Sequence, residues 1–183
     1  MKHNQSHRMY KHPLSSFLYC PRCGSDSFLE NNEKSKKCAA CGFTYYYNAS
    51  AAVVAVIVND KGEMLIARRA KEPAKGTLDL PGGFVDMHES AEEALRREIM
   101  EETSLTVVKE QFLFSIPNMY RYSDFDVQTV DLFFKCEVDD YSGLKAADDV
   151  MQLEFIALDS LNPAAFGLTS IRKGVERLMQ SLL

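Results

Sequence analysis

The sequence contains no tryptophan, no long apolar run and no excess of positive charge. A helix that crosses a bilayer needs about 18 or more consecutive apolar residues, and no run in this chain approaches that length. The first residues, MKHNQSHRMYKHPLSS, are polar and lack the hydrophobic segment of a secretory signal, so we expect a cytoplasmic protein. The net charge of -5 argues against broad, non-specific binding to nucleic acid.

The length and composition of the chain suit one full domain and a small additional module. The chain has 183 residues, and 46% of them are hydrophobic, which is enough for one core. We expect residues 1–16 to form a flexible arm, residues 17–47 a small metal-binding module and residues 50–183 the main domain. No internal repeat or low-complexity segment is visible.

Four of the five cysteines form two CxxC pairs, Cys20 with Cys23 and Cys38 with Cys41. Each pair offers two thiolates on a tight turn, and two such turns complete the tetrahedral site that zinc prefers. The alternative is a pair of disulfides, which the reducing cytosol disfavours. The spacing therefore predicts a structural zinc ribbon that folds with its metal. The fifth cysteine, Cys136, lies in an apolar segment and is most simply a buried thiol.

The main domain alternates between strand-like and helix-like segments. Strands are predicted at 51–58, 63–69, 106–116, 127–138 and 152–158, and helices at 91–103 and 169–183. The segment 119–127 is predicted to be a loop or hairpin tip, and 141–149 an acidic loop. The order of strands, a helix, more strands and a final helix predicts an α/β fold with a mixed sheet between helices.

The helix at 91–103 carries carboxylates where an apolar face is expected. Ser90 and Glu93 have the spacing of a capping box, which places the start of this helix. At about 100° per residue, Glu98 and Glu102 fall within the apolar stripe and Glu101 lies at its edge. The apolar members of that stripe are Ala91, Ala94, Leu95 and Ile99.

Carboxylates on a partly buried face need compensation. Two of them about 4 Å apart repel by about 4 kcal/mol even at an effective dielectric constant near 20. Three would mostly protonate unless a cation held them together. Oxygen-rich sites of this kind suit Mg²⁺ or Mn²⁺. The alternative is an ordinary acidic helix with its carboxylates in solvent.

The segment Gly83–Leu105, GFVDMHESAEEALRREIMEETSL, resembles the Nudix box. That pattern is a glycine, a glutamate and an Arg-Glu-aliphatic-x-Glu-Glu run, followed by a glycine and an aliphatic residue. The chain matches each fixed position except Ser104, which stands where the pattern has glycine. Glycine there supplies a left-handed helix cap and contacts none of the carboxylates. The resemblance extends over about Ser50–Leu183 and implies a Nudix-type α/β/α sandwich with a mixed sheet, preceded by the zinc ribbon.

The resemblance implies a hydrolase that uses Mg²⁺ or Mn²⁺ to cleave a nucleoside diphosphate linked to another group. By position, Glu98 and Glu102 are the expected metal ligands, and Glu101 is a further ligand or the base. Divalent ions would neutralise the anionic diphosphate and activate water.

Three further residues receive roles from the same resemblance. Glu89 is expected to hold a metal-bound water, and the carbonyl of Gly83 to complete the metal shell. Arg97 is expected to orient a catalytic glutamate through an ion pair; the alternative is a surface salt bridge.

The general base has additional candidates outside the helix. Many family members draw a carboxylate from the loop before the last strand, where this chain has Asp148 and Asp149. Glu154 is a rival candidate, although it lies in a predicted strand. The base therefore stays open between Glu101 and the two aspartates.

Three residues are candidates for contact with the substrate. Arg68 and Arg69 end the second predicted strand of the main domain, and because neighbouring strand residues point to opposite faces, one of them is expected to point into a cleft. Tyr120 is a candidate for stacking on adenine. Further aromatic candidates are Phe114, Tyr122 and Phe125.

A zinc ribbon joined to a Nudix domain resembles the NADH pyrophosphatase group. That group carries a tryptophan-containing motif downstream of its box, whereas the corresponding stretch 114–120 has no tryptophan. The missing motif argues against strict NADH specificity, so nucleotide-sugar and dinucleotide substrates stay open, including ADP-ribose, NADH and FAD. The leading hypothesis is an ADP-linked substrate with release of AMP. The resemblance also implies a homodimer.

Two alternative functions stay open. One is a nucleotide-sensing regulator whose ribbon contacts nucleic acid or a protein partner; the intact glutamate set argues against it. The other is hydrolysis of nucleotide-capped RNA, against which the acidic charge weighs.

Overall fold

The structure is a computed structural model that describes residues 12–182, without the side chains of Tyr120 and Leu182. The chain divides into two compact units, Met1–Asn48 and Ala49–Leu183. None of the helices in the described range combines the length and the apolar character that crossing a membrane requires.

The first unit is a small antiparallel sheet built around cysteines. Its strands are β1 (Phe28–Asn32), β2 (Ser35–Cys38) and β3 (Thr44–Tyr46), paired in that order. Cys20, Phe28 and Cys38 are buried together, with Cys41 and Phe43 packed against them. So few apolar residues form only a minimal core.

The predicted arm, residues 1–16, lies partly outside the described residues, which begin at His12. The His12 ring accepts a hydrogen bond at Nδ1 from the Leu14 amide (3.1 Å) and donates from Nε2 to the carbonyl of Asn32 (2.9 Å). The Leu14 side chain is fully buried. From His12 onward, the chain is therefore attached to the first unit.

The described part of the second unit contains two sheets and two α-helices. Its strands are β4 (Ser50–Ile57), β5 (Glu63–Arg69), β6 (Leu78–Asp79), β7 (Gly82–Phe84), β8 (Val107–Tyr122), β9 (Phe125–Val138) and β10 (Val150–Ala157); its helices are α1 (Ala91–Thr103) and α2 (Thr169–Leu182). The sheets have the orders β7-β4-β9-β8 and β10-β5-β6. β4 runs parallel to β9 and antiparallel to β7, so the sheet is mixed, as predicted.

The core lies on both faces of β4. Val53, Ala55 and Ile57 pack against α1, whereas Val54 and Val56 pack against α2. This alternation follows from the period of two along a strand, and it explains why the run AAVVAVIV is apolar throughout. The α/β/α arrangement expected from the resemblance is confirmed.

Helix α1 begins and ends at the predicted residues. The Ser90 side chain accepts from the Glu93 amide, and the Glu93 carboxylate accepts from the Ser90 amide, so the capping box is present. At the other end, Ser104 has φ 60° and ψ 20°, the left-handed cap that glycine would adopt without strain.

The predicted end of the third long strand is wrong. β8 continues through Pro117 to Tyr122, and the turn is confined to Ser123 and Asp124, which both have positive φ. The segment predicted as a loop is therefore strand on both sides of that turn. A proline is tolerated here because β8 lies at the edge of its sheet, where one row of amides has no strand partner within the described residues.

Candidate active site

Helix α1 places two carboxylates against Gly82 and Gly83, which begin β7 directly after the bend at Pro81 and are called the glycine turn here. The Gly82 amide donates to Glu102 Oε2 (2.9 Å). The Glu98 carboxylate occupies the space where a side chain at position 83 would begin, since a Cβ there would lie 2.3 Å from Glu98 Oε1. A Cβ on Gly82 would lie 2.1 Å from the carbonyl oxygen of Val53. Gly82 is therefore required for the chain to fit beside β4, whereas a Cβ at Gly83 would displace the Glu98 carboxylate.

Arg97 connects the remaining carboxylates of the box. Its guanidinium donates to Glu89 Oε1 (2.6 Å), to Glu98 Oε1 (2.8 Å) and to Glu101 Oε2 (3.2 Å). It also donates to the carbonyl of Phe84 (3.0 Å), next to the glycine turn. One planar group with five donors thus orients several acceptors at once, which a lysine could not do.

Burial raises the pKa of these carboxylates, whereas hydrogen bonds and the nearby positive charge lower it. Desolvation raises the pKa of Glu102, which is 5% exposed, to about 8, against the hydrogen bond from Gly82. Desolvation likewise raises the pKa of Glu98, and its contact with Arg97 opposes that rise. The hydrogen bond from Arg97 lowers the pKa of Glu89.

The donor set fits Mg²⁺ or Mn²⁺ in its chemistry. Glu98 and Glu102 offer carboxylate oxygens beside the backbone of Gly83, and burial makes two such charges costly unless a cation compensates them. In the described range, three or more ligand atoms of His, Cys, Asp or Glu come within 4.8 Å of one another at the ribbon cysteines only. Arg97 is instead the shared cation of Glu89, Glu98 and Glu101, and Glu102 accepts from the Gly82 amide.

A cavity of about 540 Å³ lies beside the glycine turn. Glu102, Gly82 and Gly83 line it at one side, and Arg69 and Tyr122 line it elsewhere. Apolar walls are supplied by residues of β4, β9 and the region of α2: Val53, Val54, Val127, Leu168 and Ile171. Its size is appropriate for a nucleotide-sized ligand.

The predicted substrate-binding residues are placed differently from one another. Arg69 lines the cavity, and its guanidinium pairs with the buried carboxylate of Asp79. Arg68 is not among the cavity-lining residues; it donates to the carbonyl of Gly76 (2.8 Å) and lies 3.7 Å from Glu154 Oε1. The Tyr120 side chain lies outside the described residues.

The acidic loop lies close to the end of α1. The Ala147 amide donates to the carbonyl of Glu102 (3.1 Å), which attaches the loop to the helix. Lys71 pairs with both Asp148 and Asp149. Of these two aspartates, Asp149 lines the cavity.

The four CxxC cysteines come together in the first unit. Their sulfur atoms all lie within 4.8 Å of one another, and the Cys20–Cys41 and Cys23–Cys38 sulfur pairs are each 3.7 Å apart. Thiolates placed tetrahedrally at about 2.3 Å from zinc are about 3.8 Å from each other. The hydrogen bond from the Cys41 backbone amide lowers the pKa of the Cys38 thiol to about 6, whereas the pKa of the Cys23 thiol is raised to about 12, against a backbone hydrogen bond from Ser25. The donor set therefore fits zinc.

Comparison with known proteins identifies the family. Residues 49–178, which contain the glycine turn, α1 and the cavity, match the sequence profile of the NUDIX domain. The chain belongs to the NUDIX domain family. The match leaves the ribbon outside it and agrees with the division of the chain after Asn48.

Similar NUDIX proteins cover this chain to different extents. An ADP-ribose pyrophosphatase from Methanocaldococcus jannaschii is 35% identical over 136 residues, which are 74% of this chain and 78% of that protein. The NAD-capped RNA hydrolase NudC from Vibrio parahaemolyticus is 30% identical over 108 residues, 59% of this chain, and the match spans only 41% of that protein. A crystal structure of a NUDIX hydrolase from Nitrosomonas europaea has a TM-score of 0.68, with 18% identity and coverage of 89% and 90% of the two chains. That likeness confirms the fold.

One polar cluster in the NUDIX unit was not expected from the sequence. Asp131, in β9, accepts hydrogen bonds from Thr129 (2.5 Å) and Ser170 (2.5 Å) and interacts with the side chain of Asn118. Desolvation raises the pKa of Asp131, and these hydrogen bonds oppose the rise. The only available signal was an acidic residue inside the apolar run VDLFF.

Proposed function

We propose that the chain is a divalent-metal-dependent pyrophosphohydrolase. It cleaves a nucleoside diphosphate linked to a second group, of the ADP-ribose or NADH type, and releases a nucleoside monophosphate such as AMP. The observation that carries the proposal is the pair Glu98 and Glu102, held by α1 against the glycine turn. Glu102 and the two glycines line a cavity of about 540 Å³. The archaeal relative named ADP-ribose pyrophosphatase supports the substrate class.

Glu98, Glu102 and the carbonyl of Gly83 would hold Mg²⁺ or Mn²⁺, with Glu101 and Glu89 as further ligands or holders of bound water. When bound, such an ion neutralises the diphosphate and lowers the pKa of a coordinated water. The positive charge of the ion would then compensate the repulsion between the glutamates of the box.

The other residues prepare this arrangement. Arg97 keeps the carboxylates of Glu98, Glu101 and Glu89 in fixed directions through its hydrogen bonds. The Gly82 amide fixes one oxygen of Glu102, leaving the other available to a ligand. Preorganisation of this kind removes a rearrangement cost from the reaction.

The proton of the attacking water would pass to Glu101, Asp148 or Asp149. Glu101 has a side chain that is 48% exposed and remains within reach of Arg97. Asp149 lines the cavity, and Lys71 pairs with both aspartates. Single substitutions of the three carboxylates by the corresponding amides would separate them, because loss of the base lowers turnover by about 100-fold to 10,000-fold.

Contacts to the rest of the substrate would come from the cavity wall. Arg69 is the strongest of the predicted residues, because it lines the cavity and Arg68 does not. The Arg69 guanidinium also pairs with Asp79. Tyr122 also lines the cavity and offers a ring for stacking. Tyr120 stays a prediction.

The four ribbon cysteines would bind a structural zinc ion. The 3.7 Å sulfur separations support this assignment, since they match a tetrahedral thiolate site. A homodimer and a cytoplasmic location stay predictions from the sequence.

The decisive experiment is Glu102→Gln. The amide keeps an oxygen that accepts from Gly82, so the fold should persist, while turnover of ADP-ribose, NADH or FAD with Mg²⁺ or Mn²⁺ should fall by about 100-fold or more. Glu92→Gln is the matched control, because Glu92 is an exposed glutamate in the first turn of the same helix. Unchanged AMP release by folded Glu102→Gln protein would refute the proposal.

A second candidate substrate is NAD-capped RNA. The relative from Vibrio parahaemolyticus, an NAD-capped RNA hydrolase, favours it. Faster hydrolysis of NAD-capped RNA than of NADH in the same assay would select capped RNA as the substrate. Nucleotide binding without hydrolysis of any substrate would instead favour the nucleotide-sensing regulator.

A further inference from the structure

The cavity contains a second polar region that the hydrolytic residues do not use. Asn118, Thr129 and Asp131 all line the cavity, although each is almost completely buried, with exposures of 7%, 2% and 5%. They lie on the adjacent strands β8 and β9, and Asn118 is the register partner of Thr129. Polar groups that are buried at a cavity wall carry a large desolvation cost, so their arrangement requires an explanation.

The hydrogen bonds to the Asp131 carboxylate do not use all of its acceptor positions. An ionised carboxylate has about four lone-pair sites. Thr129 donates to Oδ1, Ser170 donates to Oδ2, and the Asn118 amide supplies a third hydrogen bond. By this count Asp131 retains one acceptor position, and the Asn118 carbonyl oxygen is a second acceptor; both residues line the cavity.

The pairing of strands in the sheet sets the distance between Asp131 and the glycine turn. Phe84, Ala52 and Asp131 occupy one row across β7, β4 and β9. Neighbouring strands are about 4.8 Å apart, so Asp131 lies about 10 Å along this row from the end of the glycine turn. A ribose with its 5′-phosphate can bridge that separation, which puts a nucleobase at the polar cluster when a phosphate is at Gly83.

The neighbouring walls suit a flat base. Val127, Leu168 and Ile171 provide apolar surface, and Tyr122 adds an aromatic ring to the cavity lining. Apolar faces with a few convergent polar atoms at one edge are the usual design of a ligand pocket. Anchoring of α2 explains the Ser170 bond, but it does not explain why Asn118 and Asp131 line the cavity.

We propose that Asp131, with Asn118 beside it, accepts a hydrogen bond from an N–H group on the nucleobase and so selects bases that carry a donor on that edge. This inference rests on the proposed function for the position of the phosphate. Thr129 and Ser170 act as positioning residues that fix the two oxygens of the carboxylate.

Equilibrium binding of two monophosphates to the full chain with Mg²⁺ tests the inference. AMP carries the 6-amino donor, and purine riboside 5′-monophosphate lacks it but is otherwise the same. AMP should bind about 10-fold to 100-fold more tightly, the range expected for a hydrogen bond to a charged group. Equal affinities in the wild-type protein would overturn the inference, whatever the behaviour of any variant.

Asp131→Asn should reduce the affinity ratio of the two ligands toward one by weakening AMP alone. A role confined to anchoring α2 predicts instead that both ligands weaken equally or that neither changes, and either result would overturn the inference. Asp126→Asn is the matched control, since it removes an exposed carboxylate from the same strand, where Asp126 pairs with Arg121. It should leave the ratio unchanged.

The same measurements separate this inference from the proposed function. Neither monophosphate contains a diphosphate, so the binding ratio does not depend on turnover. A preference for AMP without hydrolysis of any substrate would defeat the proposed function only. Efficient hydrolysis with equal binding of the two monophosphates would defeat the inference only.

Discussion

Substitution of Gly83 by alanine tests whether the Glu98 carboxylate works where the structure places it. The new Cβ would lie 2.3 Å from Oε1, 2.4 Å from Cδ and 2.6 Å from Oε2 of Glu98. The backbone of Gly83 does not have the positive φ that would exclude alanine. The strain therefore falls on the carboxylate, which is the flexible end of a side chain.

A normal carbon–oxygen contact is about 3.4 Å or more, so the carboxylate must move by about 1 Å. A misplacement of that size costs about 100-fold in turnover, whereas overpacking costs about 1–3 kcal/mol of the free energy of unfolding. We expect kcat for ADP-ribose with Mg²⁺ to fall by about 100-fold. Thermal unfolding should remain cooperative.

Gly143→Ala is the matched control for this experiment. A Cβ at Gly143 would meet the carbonyl oxygen of Ser104 at 3.4 Å, which is an ordinary contact, so turnover and stability should be unchanged. Folded Gly83→Ala protein with wild-type turnover would show that the contact between Glu98 and the glycine turn has no part in catalysis.

Four further predictions concern Arg97, Ser104, the thiols and Asp131. Arg97→Lys should lower turnover by about 10-fold or more, because one ammonium cannot replace the planar fork; Arg96→Lys, at an exposed arginine, should not. Ser104→Gly should raise the free energy of unfolding in urea by about 1 kcal/mol without changing turnover, since it relieves a left-handed residue. In zinc-loaded protein, no cysteine should react fast with a thiol reagent, and after chelation the four ribbon cysteines should do so. Cys136 should react only after denaturation, as the fifth, because burial raises its pKa to about 12. Burial also raises the pKa of Asp131 above that of an exposed aspartate, so the folded state keeps a proton that the unfolded chain has lost. The free energy of unfolding should therefore fall as the pH rises from about 4, and Asp131→Asn should remove part of that fall.

Local sequence signals were sufficient for the helix and for the turn before it. The capping box of Ser90 and Glu93 is contained within four residues, so its geometry does not depend on the rest of the fold. The run that became β4 was equally clear, because a strand buried on both faces is apolar at every position. These two elements locate the glutamates of α1 and the sheet behind them.

Features that depend on residues far away in the sequence could not be predicted from local sequence patterns. Whether a strand can continue through Pro117 depends on its position at the edge of the sheet, which only the pairing with β9 determines. The polar role of Asp131 depends on Ser170, which is 39 residues away in the sequence and reaches it from α2. In the sequence, Asn118 resembles a turn residue and Asp131 an interruption of an apolar strand.

The arrangement of the two polar regions has a consequence for substrate choice. Gly83 and Asp131 lie on strands of one sheet, separated by β4, so their spacing is fixed by strand pairing. The walls that carry Lys71, Pro73 and Asp149 belong instead to connections between elements, which tolerate change more readily than paired strands do. In the proposed arrangement, the sheet therefore sets the distance from the reacting phosphate to the base, and loops contact the group on the far side of the diphosphate. Substitutions in those loops should change which second group is accepted, and substitution of Asp131 should change which base is accepted.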